Sequence, residues 1–118
     1  MFVISNRGDG QWEVNHTRGD TAEFRVKLSV EAEDGSKRAY EMNEKDTLTI
    51  TLRRTTKSDI ALQKAFSTPV IKMEPSDTEE LDIATYRFDV QLDTANGDRY
   101  TLNRGDRSSW KLWDEVTY

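Results

Sequence analysis

Few side chains in this sequence could do chemistry. It holds one histidine, His16, and no cysteine. Thiolate nucleophiles, disulfides, Fe–S clusters and Cys- or His-rich zinc sites therefore have nothing to be built from. A lone imidazole could act as a general base if a nucleophile stood within reach and a carboxylate oriented it. Val14-Asn15-His16-Thr17 supplies no such set locally, and Ser108-Ser109 lacks the G-x-S-x-G frame of a nucleophile elbow. His16 is expected to be exposed or partly packed, and no catalytic residue is assigned.

Arg-Gly-Asp occurs three times, at Arg7-Gly8-Asp9, Arg18-Gly19-Asp20 and Arg104-Gly105-Asp106. Composition alone would give about 0.05 matches, so the repetition asks for a cause. In an adhesion motif the Asp would complete a receptor's metal coordination. In a structural turn, Gly-Asp bends the chain and Arg is a solvated flank. Each copy falls before or between expected strands, so Arg18, Gly19 and Asp20 are assigned to a turn. The runs Asp77–Asp82 and Asp93–Asp98 concentrate carboxylates that could hold Ca²⁺. The second lacks the spacing and closing Glu of an EF-hand loop, and no metal or other cofactor is assigned. Trp12, Trp110 and Trp113 are the candidate interaction residues. Trp110 and Trp113 stand an odd number of residues apart, so a strand puts them on opposite faces, one in the core and one exposed. An exposed indole could stack on sugar or anchor a protein contact.

These residues need elements to place them, and alternation supplies the elements. Phe24, Val26, Leu28 and Val30, then Leu48, Ile50 and Leu52, then Tyr86, Phe88, Val90 and Leu92 are apolar at every second position. That period marks strands with one face buried and one wet, as in antiparallel sheets. Weaker strands are expected at Gln11–His16, Lys37–Met42, Leu62–Phe66, Val70–Glu74, Arg99–Asn103 and Trp110–Thr117. A turn at Ser58–Ala61 should precede the third of these. Glu33-Asp34-Gly35-Ser36 and Ala95-Asn96-Gly97-Asp98 read as turns, with Asn96-Gly97 pairing Tyr86–Leu92 against Arg99–Asn103. Pro75 followed by Ser76 and Glu79 reads as a capping box, giving a helical turn over 77–81. With 118 residues, no linker composition and no repeat, the chain is one domain, 1–118. The expectation is an all-β, immunoglobulin-like antiparallel sandwich of seven to nine strands, with 1–17 as an extra strand or arm.

Charge narrows the partners. Lys+Arg number 17 against 22 Asp+Glu, a net charge of -5, which disfavours phosphate-backbone binding. The single basic run, Arg53-Arg54-Thr55-Thr56-Lys57, reads as a loop flank and not as a nucleic-acid stripe. No apolar run reaches the roughly 18 residues of a membrane span, and the start shows no signal-peptide pattern. Neither nucleic acid nor membrane is expected as a partner.

Several segments, taken in order, resemble a family of small phage and prophage virion-associated proteins. These carry an immunoglobulin-like sandwich similar to the N-terminal domain of a baseplate upper protein. Arg18-Gly19-Asp20-Thr21-x-x-Phe24 resembles the family's opening R-G-D-T-x-x-F. Ile71-x-Met73-x-Pro75-x-Asp77-Thr78-x-x-Leu81 resembles its I-x-I-x-P-x-D-T-x-x-L stretch. Tyr86-Arg87-Phe88-Asp89-Val90-Gln91-Leu92 resembles Y-x-Y-D-I-Q-L, and Glu115-Val116-Thr117 its closing E-V-T. Ala84-Thr85 departs from the glycine that often precedes the first Tyr of that strand. The resemblance implies a non-enzymatic structural or assembly protein of the virion, in baseplate, tail or head fibre. It would assemble in the host cytoplasm and contact other virion proteins or copies of itself through strand edges and aromatic patches. The residues also admit a carbohydrate- or cell-surface-binding module that uses an exposed Trp, with or without Ca²⁺.

Overall fold

Alternation becomes structure most directly in β6 (Thr47–Arg53) and β9 (Thr85–Asp93). Leu48, Ile50 and Leu52 of the one, and Tyr86, Phe88, Val90 and Leu92 of the other, are buried. The intervening Thr47, Thr49 and Thr51 are only half covered. The two strands pair antiparallel with Ile50 opposite Val90. Their apolar sets therefore line one face, as a two-residue period requires.

The computed structural model describes residues 2–6, 10–31 and 33–114. Among them are nine more strands: β1 (Phe2–Asn6), β2 (Trp12–Thr17), β3 (Ala22–Arg25), β4 (Ser29–Glu31), β5 (Lys37–Ala39), β7 (Ile60–Phe66), β8 (Val70–Met73), β10 (Arg99–Thr101) and β11 (Ser109–Trp113). The large sheet runs β1-β2-β11-β9-β6-β7, with β10 also against β9; β3 pairs with β8, and β4 with β5. The chain is an all-β sandwich. The row β11-β9-β6-β7, with β3-β8 as a separate pair, follows the G-F-C-C′ and B-E order of a variable-type immunoglobulin domain. Tyr86 adds the corner tyrosine of that architecture: at the start of β9 it donates its hydroxyl to the Asp82 carbonyl at 2.6 Å.

The expected seven to nine strands become eleven among the described residues: Phe2–Asn6 adds β1 beside β2, and the run expected through Phe24–Val30 divides into β3 and β4. One pairing is also not antiparallel. β2 and β11 run parallel, with Val14 beside Trp110. A parallel pair needs a long crossover, and here nearly the whole domain provides it.

The expected strand through Phe24–Val30 is interrupted. Val26 donates to the Pro69 carbonyl at 2.7 Å, and Leu28 then accepts from the Tyr40 amide at 3.0 Å. Pro69 accepts but has no N–H to give, so the β3-β8 ladder stops there and the chain changes partner. Val26 and Leu28 stay buried; the side chain of Val30 lies outside the described ones. The helical turn also shifts. It is α1 (Pro75–Thr78), with Glu74 at the N-cap and Asp77, not Glu79, accepting from the Glu74 amide at 2.7 Å. Pro75 sets this start, since a first helical position loses nothing by lacking an N–H.

The core gathers on Trp110, which is fully buried. Phe88 meets its ring edge-on at 5.5 Å and Phe24 lies 6.2 Å away, so one indole touches both β9 and β3. The edge-on pair contributes about 0.5–1.5 kcal/mol beyond burial. Asn103 closes a gap in the large sheet. β9 pairs with β10 at residues 91–93 and with β11 at 85–87. Between these, the buried Asn103 amide accepts from Val90 N–H at 2.7 Å and donates to the Phe88 carbonyl at 3.0 Å. Replacing Asn103→Ala strands both backbone groups, at about 1–3 kcal/mol each. Urea denaturation is expected to show a loss of roughly 2–4 kcal/mol with an unchanged m-value.

Candidate functional site

A cleft of about 770 Å³ opens at one end of the sandwich, within the size range of small-ligand pockets. Three groups of residues wall it: the start of β2, residues 26–29 with 40–46, and the β9-β10 hairpin. Buried Val26, Leu28 and Leu92 form an apolar floor. Trp12, Tyr40 and Tyr100 bring aromatic rings, and Lys27, Ser29, Asn43, Asn96 and Asp98 bring polar groups. In immunoglobulin-like sandwiches this is the end where B–C and F–G loops gather.

Asp46 holds the walls together. One oxygen accepts from the Tyr40 hydroxyl at 2.6 Å and the Asn43 amide at 2.9 Å, the other from the Ala95 amide at 2.9 Å. The donation from Tyr40, then that from Asn43, pull the Asp46 pKa below its ordinary value, because each bond favours the charged form. The same bond raises the Tyr40 pKa, since the phenol must keep its proton to donate. On the opposite wall Asn96-Gly97 turns as expected. Gly97 takes a φ of +89°, and Asp93 pairs with Arg99 across the hairpin at 2.7 Å.

The three tryptophans separate sharply. Trp113 is 47% exposed on the outer face of the large sheet, with its indole N–H tied to the Asn15 side chain at 3.0 Å. Trp110 is no interaction residue: its position alternates inward, and burial removes it from any partner. Trp12 is half-buried, packs 6.4 Å from Phe88 and borders the cleft. Its indole N–H, unlike the other two, has no protein hydrogen-bond partner among the described residues.

His16 is likewise not exposed or partly packed but fully buried. Its Nδ1 accepts from the Trp110 indole at 3.3 Å, and Nε2–H donates to the Asp20 carbonyl at 2.8 Å. With both ring nitrogens occupied, it is a structural group. Arg18, Gly19 and Asp20 form a tight turn, closed by the Asp20 amide on the Thr17 carbonyl at 3.1 Å. Gly19 takes a φ of +84° and donates its N–H to buried Thr78 at 2.9 Å, fastening the turn to α1. In Arg104-Gly105-Asp106 a Cβ on Gly105 would lie 3.3 Å from the Asp89 Cβ, so close packing explains that glycine. Arg7-Gly8-Asp9 and Glu115-Val116-Thr117 lie outside the described residues. No three His, Cys, Asp or Glu converge on a metal-sized site among the described residues. Asp77 instead pairs with Lys64, and Asp82 with Arg54.

The sequence flagged Trp12, Asn96 and Gly97 but missed Tyr40, Asn43, Asp46 and Tyr100 as one group. Their only signal was the turn at 94–98, since a carboxylate holding a second loop leaves no spacing pattern. No protein-family model, curated protein or solved structure matches this chain.

Burial lowers the His16 pKa below 6.5, with the Asp20 carbonyl partly opposing it. The unfolded chain takes up this proton near pH 6.5 and the native chain only at lower pH. His16 therefore contributes fully above pH 6.5, and its contribution fades as pH falls through the native value. The unfolding free energy from urea denaturation is expected to drop between pH 7 and 5, by at most about 1.4 kcal/mol per pH unit. His16→Asn should start less stable and flatten that slope.

Proposed function

We propose that this chain is a non-enzymatic structural or assembly protein of a phage or prophage particle, making protein–protein contacts at the two ends of its sandwich. The ordered resemblance supports the particle. The residues carrying it build framework here: Gly19 docks on Thr78, Asp77 caps α1, and Tyr86 makes the corner bond. Such residues preserve a fold while leaving contacts open to change.

The contact reading rests on where large apolar side chains are left in water. Ile60, Ile83 and Trp113 are 46%, 43% and 47% exposed, and all lie at the end holding the 17–20 turn and α1. Tyr100, 53% exposed, lies at the other end beside the cleft. Between the ends, the outer face of the large sheet carries Thr47, Thr49, Thr51, Arg87, Gln91, Ser109 and Lys111, by the alternation and register of its strands. Apolar ends on a polar body suit end-to-end contacts between unlike surfaces.

Side-by-side strand pairing suits the molecule less, contrary to the expectation from open edges. β7 is an edge strand, but Lys64 turns inward opposite Ile50. There its ammonium reaches the Lys72 carbonyl at 2.9 Å and Asp77 at 2.7 Å. An inward charge is a common guard against edge pairing. Particles purified from the source bacterium are expected to hold this chain in fixed ratio to a tail or capsid protein, by quantitative mass spectrometry. Ile83→Ser with Trp113→Ser should lower that ratio while the isolated variant keeps its circular dichroism spectrum. Absence from the particles, or undiminished incorporation of the double variant, refutes the reading.

A further inference from the structure

We propose that the end cleft is a saccharide-binding site, in which Trp12 and Tyr100 stack on the C–H faces of sugar rings and Asn43 and Asn96 bond their hydroxyls. This inference does not depend on particle membership. A sugar ring has apolar faces and a hydroxyl-studded edge, so its site needs aromatic surface and planar amides together. The cleft offers both, and several of its polar groups are uncommitted. No protein hydrogen bond engages the Trp12 indole N–H or the side chains of Asn43, Asn96 and Asp98 among the described residues. Elsewhere in the molecule the Trp110 and Trp113 indoles are each satisfied by a protein acceptor.

Charge and shape disfavour other small ligands. A phosphate or nucleotide would meet one cation, Lys27, and the carboxylates of Asp46 and Asp98, where anion sites gather several donors. A fatty chain would strip water from Asn43, Asn96 and Asp98 and give nothing back. A neutral sugar satisfies the amides, the indole and the carboxylate at once.

The walls are also held ready. Asp46 takes the Tyr40 proton donor and ties residues 40–46 to the 93–98 hairpin. The Tyr40 ring is thereby fixed, while its oxygen can still accept from a ligand hydroxyl. A site fixed before binding loses less entropy on closing around its ligand. Asp46 is a positioning residue here.

The test is a two-dimensional NMR titration of the intact chain. The probes are neutral trisaccharides of glucose, galactose, mannose, rhamnose and N-acetylglucosamine. At least one is expected, at millimolar concentration, to shift the Trp12 indole N–H and the backbone amides of 94–98. The Trp110 indole N–H should stay still. Tyr100→Ala, at an exposed position that leaves the fold intact, should weaken binding about tenfold. Trp12→Ala should abolish it, though loss of the Phe88 contact makes Tyr100→Ala the cleaner variant. Three results overturn the proposal: no trisaccharide moves these resonances, the shifts map to Trp113 instead, or Tyr100→Ala binds as tightly as the parent.

Discussion

Burying Trp110 imposes the condition on which much of this molecule turns: its indole N–H must find an acceptor inside the core. His16 is that acceptor, and it can accept at Nδ1 only as the tautomer protonated at Nε2. The Nε2 proton must then be placed, and the Asp20 carbonyl takes it. The carbonyl faces inward because the 17–20 turn is tight, with Gly19 left-handed and its amide on Thr78. A demand raised by one core side chain thus reaches α1 through three hydrogen bonds. A gap in that series would leave a buried polar group unpaired, which costs more than the bond itself contributes.

The two ends of the sandwich are held by opposite protonation states. At the 17–20 end a neutral imidazole completes the network, whereas at the cleft end an ionised carboxylate gathers three donors. Acid therefore attacks them in sequence. The imidazole network feels pH first, below the histidine's ordinary value, and Asp46 keeps its charge to below the ordinary carboxylate value because every bond it accepts favours the anion. The cleft walls can stay joined under mild acid that already loosens the far end.

How much of this was legible beforehand follows from the range of each interaction. The alternating runs at Leu48–Leu52 and Tyr86–Leu92, the Asn96-Gly97 hairpin and the split fates of Trp110 and Trp113 are local consequences of the two-residue period, and each was readable. Asn103, Lys64 and Asp46 were not. Each is a polar residue whose meaning comes from a backbone or carboxyl group at least 8 residues away in Lys64–Lys72 and 49 away in Asp46–Ala95. The burial of His16 is hidden for the same reason. An isolated imidazole reads as solvated, and only the Trp110 donor, 94 residues away, makes its burial favourable. At the α1 start the local pattern misleads: Ser76 and Glu79 match the capping pattern, yet Pro75 fits the first helical position so well that Glu74 becomes the cap.

The cleft itself depends on one of those unreadable residues. β9, at nine residues, is longer than either β10 or β11, which share the side of it that faces away from β6. Were β11 simply longer, it would cover the edge and no strand would be left to carry Tyr100 to the mouth. The division requires a filler for the backbone groups between the two partners, and Asn103, whose side chain both donates through its NH2 and accepts at its carbonyl, is that filler. No apolar residue could stand there without leaving Val90 N–H and Phe88 C=O dry and unpaired. The buried asparagine thus joins the framework to the site: it lets β9 change partners, and the change of partners places an aromatic hairpin over the end of the sandwich.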